Sequence, residues 1–203
     1  MGRRRAAEWD PFDEFAARMR NYADTQLEQV GAEEDVPPTL ILAGEEEDPP
    51  VWLDLTDAFE TPESAGAFME IQIPALIRQF APAHVGLVTM TWLTENPGVR
   101  ASVASDRREA LRVVAVGEDR SADYLGVVER HLDRAPTFER WFQIPPSDTN
   151  PPVMAYRQAL REVRLSGVPF DSAEEGFPGY SEDPTTGEAT LLIPLDRLLR
   201  GQR

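Results

Sequence analysis

With two histidines, no cysteine and no lysine, this 203-residue chain has few side chains suited to covalent or metal chemistry. The lack of cysteine rules out disulfides, thiolate nucleophiles, Fe–S clusters and Cys-type zinc sites. All 20 basic residues are arginine, which also rules out an imine-forming lysine and a P-loop lysine. Exchange of Lys for Arg, with abundant Ala, Gly and Pro, is the mark of a high-GC, bacterial kind of genome. It would also shield the chain from lysine-directed modification. His84 and His131 stand in no HxH or HExxH spacing, so no metal set is expected, and His84 reads as a surface or hinge residue.

Carboxylates are the remaining chemical resource, 36 of them. Asp54 and Asp57 leave one expected strand, and Glu95 leaves a strand expected to be its neighbour. Carboxyl groups gathered at strand ends can do acid–base work if burial separates their pKa values. These three are the only catalytic candidates, and they are weak ones, because coincidence is cheap among so many acids. Glu45, Glu46, Glu47 and Asp48 are consecutive. A hard cation needs oxygens at alternating loop positions, whereas adjacent acids diverge, so this run reads as a solvated tip. No G-x-S-x-G, G-x-G-x-x-G or Walker pattern occurs, and no cofactor is expected. The aromatics offer a different chemistry. Trp52, Trp92 and Trp141 fall on expected strands, the last beside Arg140. Core packing explains most of them. If two share an exposed face with Arg140 and Arg112, they form a binding or self-association surface, since Trp and Arg dominate interface hot spots.

The net charge of −16 is unevenly placed. Residues 21–60 hold twelve acids and no basic residue, whereas residues 61–164 hold thirteen acids and twelve arginines. The expectation is an acidic pole on a near-neutral body. Such a surface disfavours nucleic acid, whose phosphates need cations. It can steer a basic protein partner, or simply keep the chain in solution. No apolar run approaches the roughly 18 residues of a membrane span. The basic start, Arg3-Arg4-Arg5, is not followed by an apolar h-region. A soluble, cytoplasmic protein without membrane contact is expected.

The elements that would position these residues follow from periodicity. Asp10-Pro11 caps an amphipathic helix over residues 10–30, with Gly31 as its C′ residue. Residues 39–43 and 51–55 predict a hairpin with a charged tip. Thr61-Pro62 starts a helix carrying Phe68, Ile71, Leu76 and Phe80, and Pro74 inside it predicts a kink or a break. His84–Leu93 is apolar on both faces and so predicts a central strand. Strands over residues 109–118, 124–132 and 138–144 complete an antiparallel meander, and residues 151–164 form a last helix. The expected fold class is α+β, a mostly antiparallel sheet of five or six strands with three helices packed on it. Residues 1–164 make one domain, with 1–8 a flexible basic tail. Residues 165–203 form a Gly/Pro/acidic loop and a short closing element.

This order of helix, hairpin, helix, central strand and meander resembles the MPN (JAB) domain over roughly residues 10–100. In that family a strand ending in His-x-His supplies zinc ligands. The matching stretch here, Thr89-Met90-Thr91-Trp92, has no histidine. The resemblance therefore implies a metal-free scaffold without isopeptidase activity, and it is one of element order, not of motif. The functional expectation is a non-enzymatic interaction or accessory protein for a basic partner. A carboxylate-dependent enzyme using Asp54, Asp57 and Glu95 is the alternative.

Overall fold

The computed structural model describes residues 10–45, 50–94, 104–145, 150–170, 180–182 and 189–191. Strands β1 (Thr39–Ala43) and β2 (Val51–Asp54) form the expected hairpin. β1 then pairs antiparallel with β3 (His84–Leu93). β4 (Arg108–Val116), β5 (Ser121–Glu129) and β6 (Thr137–Ile144) continue as an antiparallel meander. Six antiparallel strands thus run β6-β5-β4-β3-β1-β2. Two three-residue strands, β7 (Tyr180–Glu182) and β8 (Ala189–Leu191), extend the β2 edge. β8 joins β2 in parallel, with Thr190 opposite Trp52.

Side chains alternate across a strand, so this sheet buries two different sets of residues. Leu40, Leu42, Val51, Leu53, Val85, Leu87, Val114 and Val116 pack beneath two helices, α3 (Ile73–Phe80) and α4 (Pro151–Ser166). Ile41, Val88, Leu111, Val113, Ala115, Ala122 and Val128 pack beneath α1 (Pro11–Gln29). The sheet is covered on both sides, and β3 sits inside it with both faces buried over Val85–Val88. Phe12, Phe15, Met19 and Leu27 hold α1 down, each at roughly 2 kcal/mol of apolar burial. The helix lies close over Gly86, where any Cβ would run into the Met19 side chain.

Local signals account for most element ends. Asp10 caps α1, its Oδ1 accepting the Phe12 N–H at 3.0 Å. Thr61 and Ser64 form a reciprocal capping box on α2 (Pro62–Ala67). Two details differ from expectation. Gly31 is not a left-handed terminator: Val30 leaves α1 extended, and the Gly31 N–H donates to the Glu34 carboxylate at 2.9 Å. Pro74 does not break its helix. A π turn over Phe68–Gln72 precedes α3, and the Ile73 N–H bonds five residues back to Phe68. Proline lacks the N–H that would continue the ladder, and a widened turn absorbs the loss next to it. α4 also runs to Ser166 and ends on Gly167 at φ 66°, the left-handed terminator that was expected at Gly31.

Candidate functional site

The carboxylate candidates separate when placed on this frame. Asp54 ends β2 in water, and its Oδ1 accepts the Thr56 N–H at 2.8 Å and the Thr56 hydroxyl at 2.6 Å. It closes a turn. Asp57 opens a short 3₁₀ turn, also exposed. Neither is buried, so the low-dielectric setting that acid–base work requires is missing at both. Glu95 lies outside the described residues. Among the described residues no three His, Asp or Glu side chains gather closely enough to hold a metal ion. Thr89 and Thr91, where the MPN pattern would put histidines, sit half-buried on β3.

The aromatic candidates divide by face. Trp52 and Trp141 both pack against the α1 side. Trp52 stacks on Tyr22 of α1 with ring centroids 4.4 Å apart, and the Trp141 indole N–H donates to Asp24 of α1 at 3.1 Å. The two tryptophans flank the helix and hold it in place. Trp92 is 39% exposed, with Arg107 4.7 Å over its ring, and lies on the same face further along β3. Arg140 is on the opposite face, 4.6 Å over the ring of Phe142. Arg112 shares that face and is engaged by Asp123 through two hydrogen bonds of 3.0 and 2.6 Å. The Asp123 hydrogen bond holds the Arg112 pKa above its ordinary value. The three tryptophans and the two arginines therefore do not form one surface. The register puts them on opposite sides of the sheet.

The acidic segment is also divided. The Leu55 N–H donates to Pro38 O at 2.8 Å, and Thr39 pairs with Asp54. Residues 33–38 and 54–60 therefore leave the same end of the hairpin. Glu33, Glu34, Asp35, Asp54, Asp57 and Glu60 are all exposed there. Glu45 is exposed at the other end, and Glu46, Glu47 and Asp48 lie outside the described residues. Among the described residues the charge of 21–60 is thus divided between the two ends of the hairpin and α1, which carries Asp24 and Glu28.

Two arginines that sequence reasoning passed over hold acidic residues in place. Arg130, at the end of β5, bonds Asp35 and Glu109 as well as the backbone oxygens of Ala32 (3.2 Å) and Glu34 (2.7 Å). It anchors the acidic loop to the sheet. Arg120 pairs with Asp10, lies 3.5 Å from Asp13, and sits 4.6 Å over the Phe12 ring. Both are lone arginines in turn-like sequence, and nothing in their spacing signals the role. His84 is not a surface residue: its ring stacks on Phe15 at 5.3 Å and meets Phe12 edge-on at 5.8 Å. Burial, then the Arg120 charge, holds its pKa below the ordinary 6.5. Tyr156 of α4 is buried with an unpartnered hydroxyl among the described residues, and burial pushes its pKa up.

No family model, no curated protein and no solved structure matches this chain. Among the described residues, no helix is long and apolar enough to cross a membrane.

Proposed function

We propose that this protein is a non-enzymatic interaction or accessory protein that receives a basic protein segment at the end of the β1–β2 hairpin. One observation carries the reading. Six exposed carboxylates, from Glu33 to Asp35 and from Asp54 to Glu60, converge on that end through the Pro38–Leu55 contact. Arg130 answers Asp35 from the sheet. Asp54 is committed to its turn, which leaves Glu33, Asp57 and Glu60 exposed to solvent with no ion-pair partner among the described residues. Clustered like charge raises the local concentration of a cationic partner and speeds its encounter. Surface charge of this kind is screened over about 8 Å at physiological ionic strength. The interaction is salt-sensitive for that reason.

The test is an anisotropy titration with a fluorescent arginine-rich peptide at low and at physiological salt. The triple variant Glu33→Gln, Asp57→Asn, Glu60→Gln weakens binding by about fivefold or more and flattens the salt dependence. A control variant carrying Asp119→Asn, Glu129→Gln and Asp133→Asn removes the same charge elsewhere and retains affinity. Equal losses in the two variants would reduce the effect to overall charge and remove the site.

A further inference from the structure

Among the described residues, one lateral edge of the sheet is open in a way that selects its own partner. β6 is the outermost described strand on that side, and of the described strands only β5 hydrogen-bonds to it. It runs for eight residues, Thr137–Ile144, with no proline or lysine inside, and Phe142 is 41% exposed. A long edge strand with apolar side chains is a template for another strand. Native edges are usually blunted by charge and bulges. β6 has a bulge opposite Val127/Val128 and one adjacent charged pair, Glu139-Arg140.

The order of those two charges decides what fits. Two identical strands paired antiparallel about a two-fold axis exchange contacts, so that residue i meets j and j meets i. The bulge makes Glu139 the extra residue and sets it on the same face as Arg140, where Arg108 of β4 also reaches it. With Glu139 opposite Arg140, the centre of the pairing then adds two symmetric ion pairs to those with Arg108. Phe138 then faces Trp141 and Thr137 faces Phe142. A slip of one residue either way sets Arg140 against Arg140 or Glu139 against Glu139, which like-charge repulsion disfavours. The net charge does not forbid the approach. β6 lies in the near-neutral stretch of the chain and is four strands from β1 and five from β2. At about 4.8 Å per strand that is roughly 19 to 24 Å from the acidic hairpin, more than twice the screening length of about 8 Å.

We propose that a second copy of this chain pairs with β6 through its own β6, antiparallel, in the Glu139–Arg140 register. The two sheets become one, and the acidic hairpins point away from each other at its far sides. An edge pairing of this length is a small interface, and the association is weak.

Sedimentation velocity of the full chain between about 10 and about 500 µM covers the range for such an interface. The wild-type protein moves from one-chain to two-chain mass as concentration rises. Arg140→Glu places four carboxylates at the centre and weakens dimerisation tenfold or more. The swap Glu139→Arg/Arg140→Glu restores it, because the register is again self-complementary. Arg134→Glu changes the net charge equally and leaves the dimer intact. Hydrogen exchange on the wild-type protein needs no variant to fold: β6 amides slow down at the higher concentration. A chain that stays single at every concentration overturns the proposal and leaves the edge to a foreign strand. So does a dimer that Arg140→Glu does not weaken and that leaves β6 exchange unchanged.

Discussion

His84 shows how a residue acquires a property its neighbours in sequence do not suggest. It begins β3 among small residues, yet α1 packs Phe12 and Phe15 against its ring. Its Nδ1 is buried without a hydrogen-bond partner among the described residues. Desolvation and the Arg120 guanidinium disfavour the imidazolium, and the weaker pull of Asp10, the Ala83 backbone and Glu45 does not offset them. The unfolded chain takes up a proton as pH falls through 6.5, and the folded protein resists it. The unfolded state therefore binds more protons in that range, and stability is lost as pH drops below 6.5. Urea unfolding at about pH 7.5 and about pH 5.5, a window above most carboxylate titration, reports this loss. His84→Phe keeps an aromatic ring there and shrinks the difference. A variant with an unchanged pH dependence would place its origin elsewhere. In the sequence His84 was legible only as a histidine at a strand start. The aromatic pair that depresses its pKa arrives from about seventy residues earlier.

Elements owe their existence to local signals and their seating to contacts between them. The hairpin, the meander and the caps at Asp10 and Thr61 follow from alternation and turn chemistry. Pro74 marked a disturbance correctly. The remedy, a π turn in place of a break, depends on Phe68, Leu76 and Phe80 all having to stay buried on one side. β5 lies at Ser121–Glu129, three residues ahead of the expected 124–132, because the tight turn after Val116 sets Ser121 directly opposite it and starts the pairing there. Gly126 carries the packing between β5 and β6. A Cβ there would strike the Phe138 ring and come within 3.0 Å of Trp141. Those rings lie 4.5 Å apart and Trp141 is tied to Asp24, so they have little room to yield. Gly126→Ala is expected to cost about 1–3 kcal/mol by overpacking. The denaturant midpoint measures it, and a midpoint equal to wild type would mean the rings move freely.

The whole molecule balances a net charge of −16 against a set of exposed ion pairs. Exposed pairs contribute about 0–1 kcal/mol each and weaken in salt. Self-repulsion of the acids also weakens in salt, and it grows with the square of net charge. Among the described residues the acidic end of the hairpin draws on Arg130 and little else, so repulsion outweighs pairing there. The thermal midpoint should rise between about 10 mM and about 150 mM salt, as scanning fluorimetry would show. A fall would mean that the arginine pairs dominate instead.

The chemistry absent from this chain was decided by composition alone: no thiol and no side-chain amine can be supplied by a fold that lacks the residues. Fold class and the central place of β3 were likewise written in local patterning, whereas the insertion of β1 between β2 and β3 was not. Only the tertiary structure decided that Trp52 and Trp141 pin α1, that Arg140 lies across the sheet from them, and that residues 33–38 meet residues 54–60. Alternation states that neighbours along a strand face opposite ways. Which face another element covers depends on contacts between residues far apart in the chain, and those have no period to read.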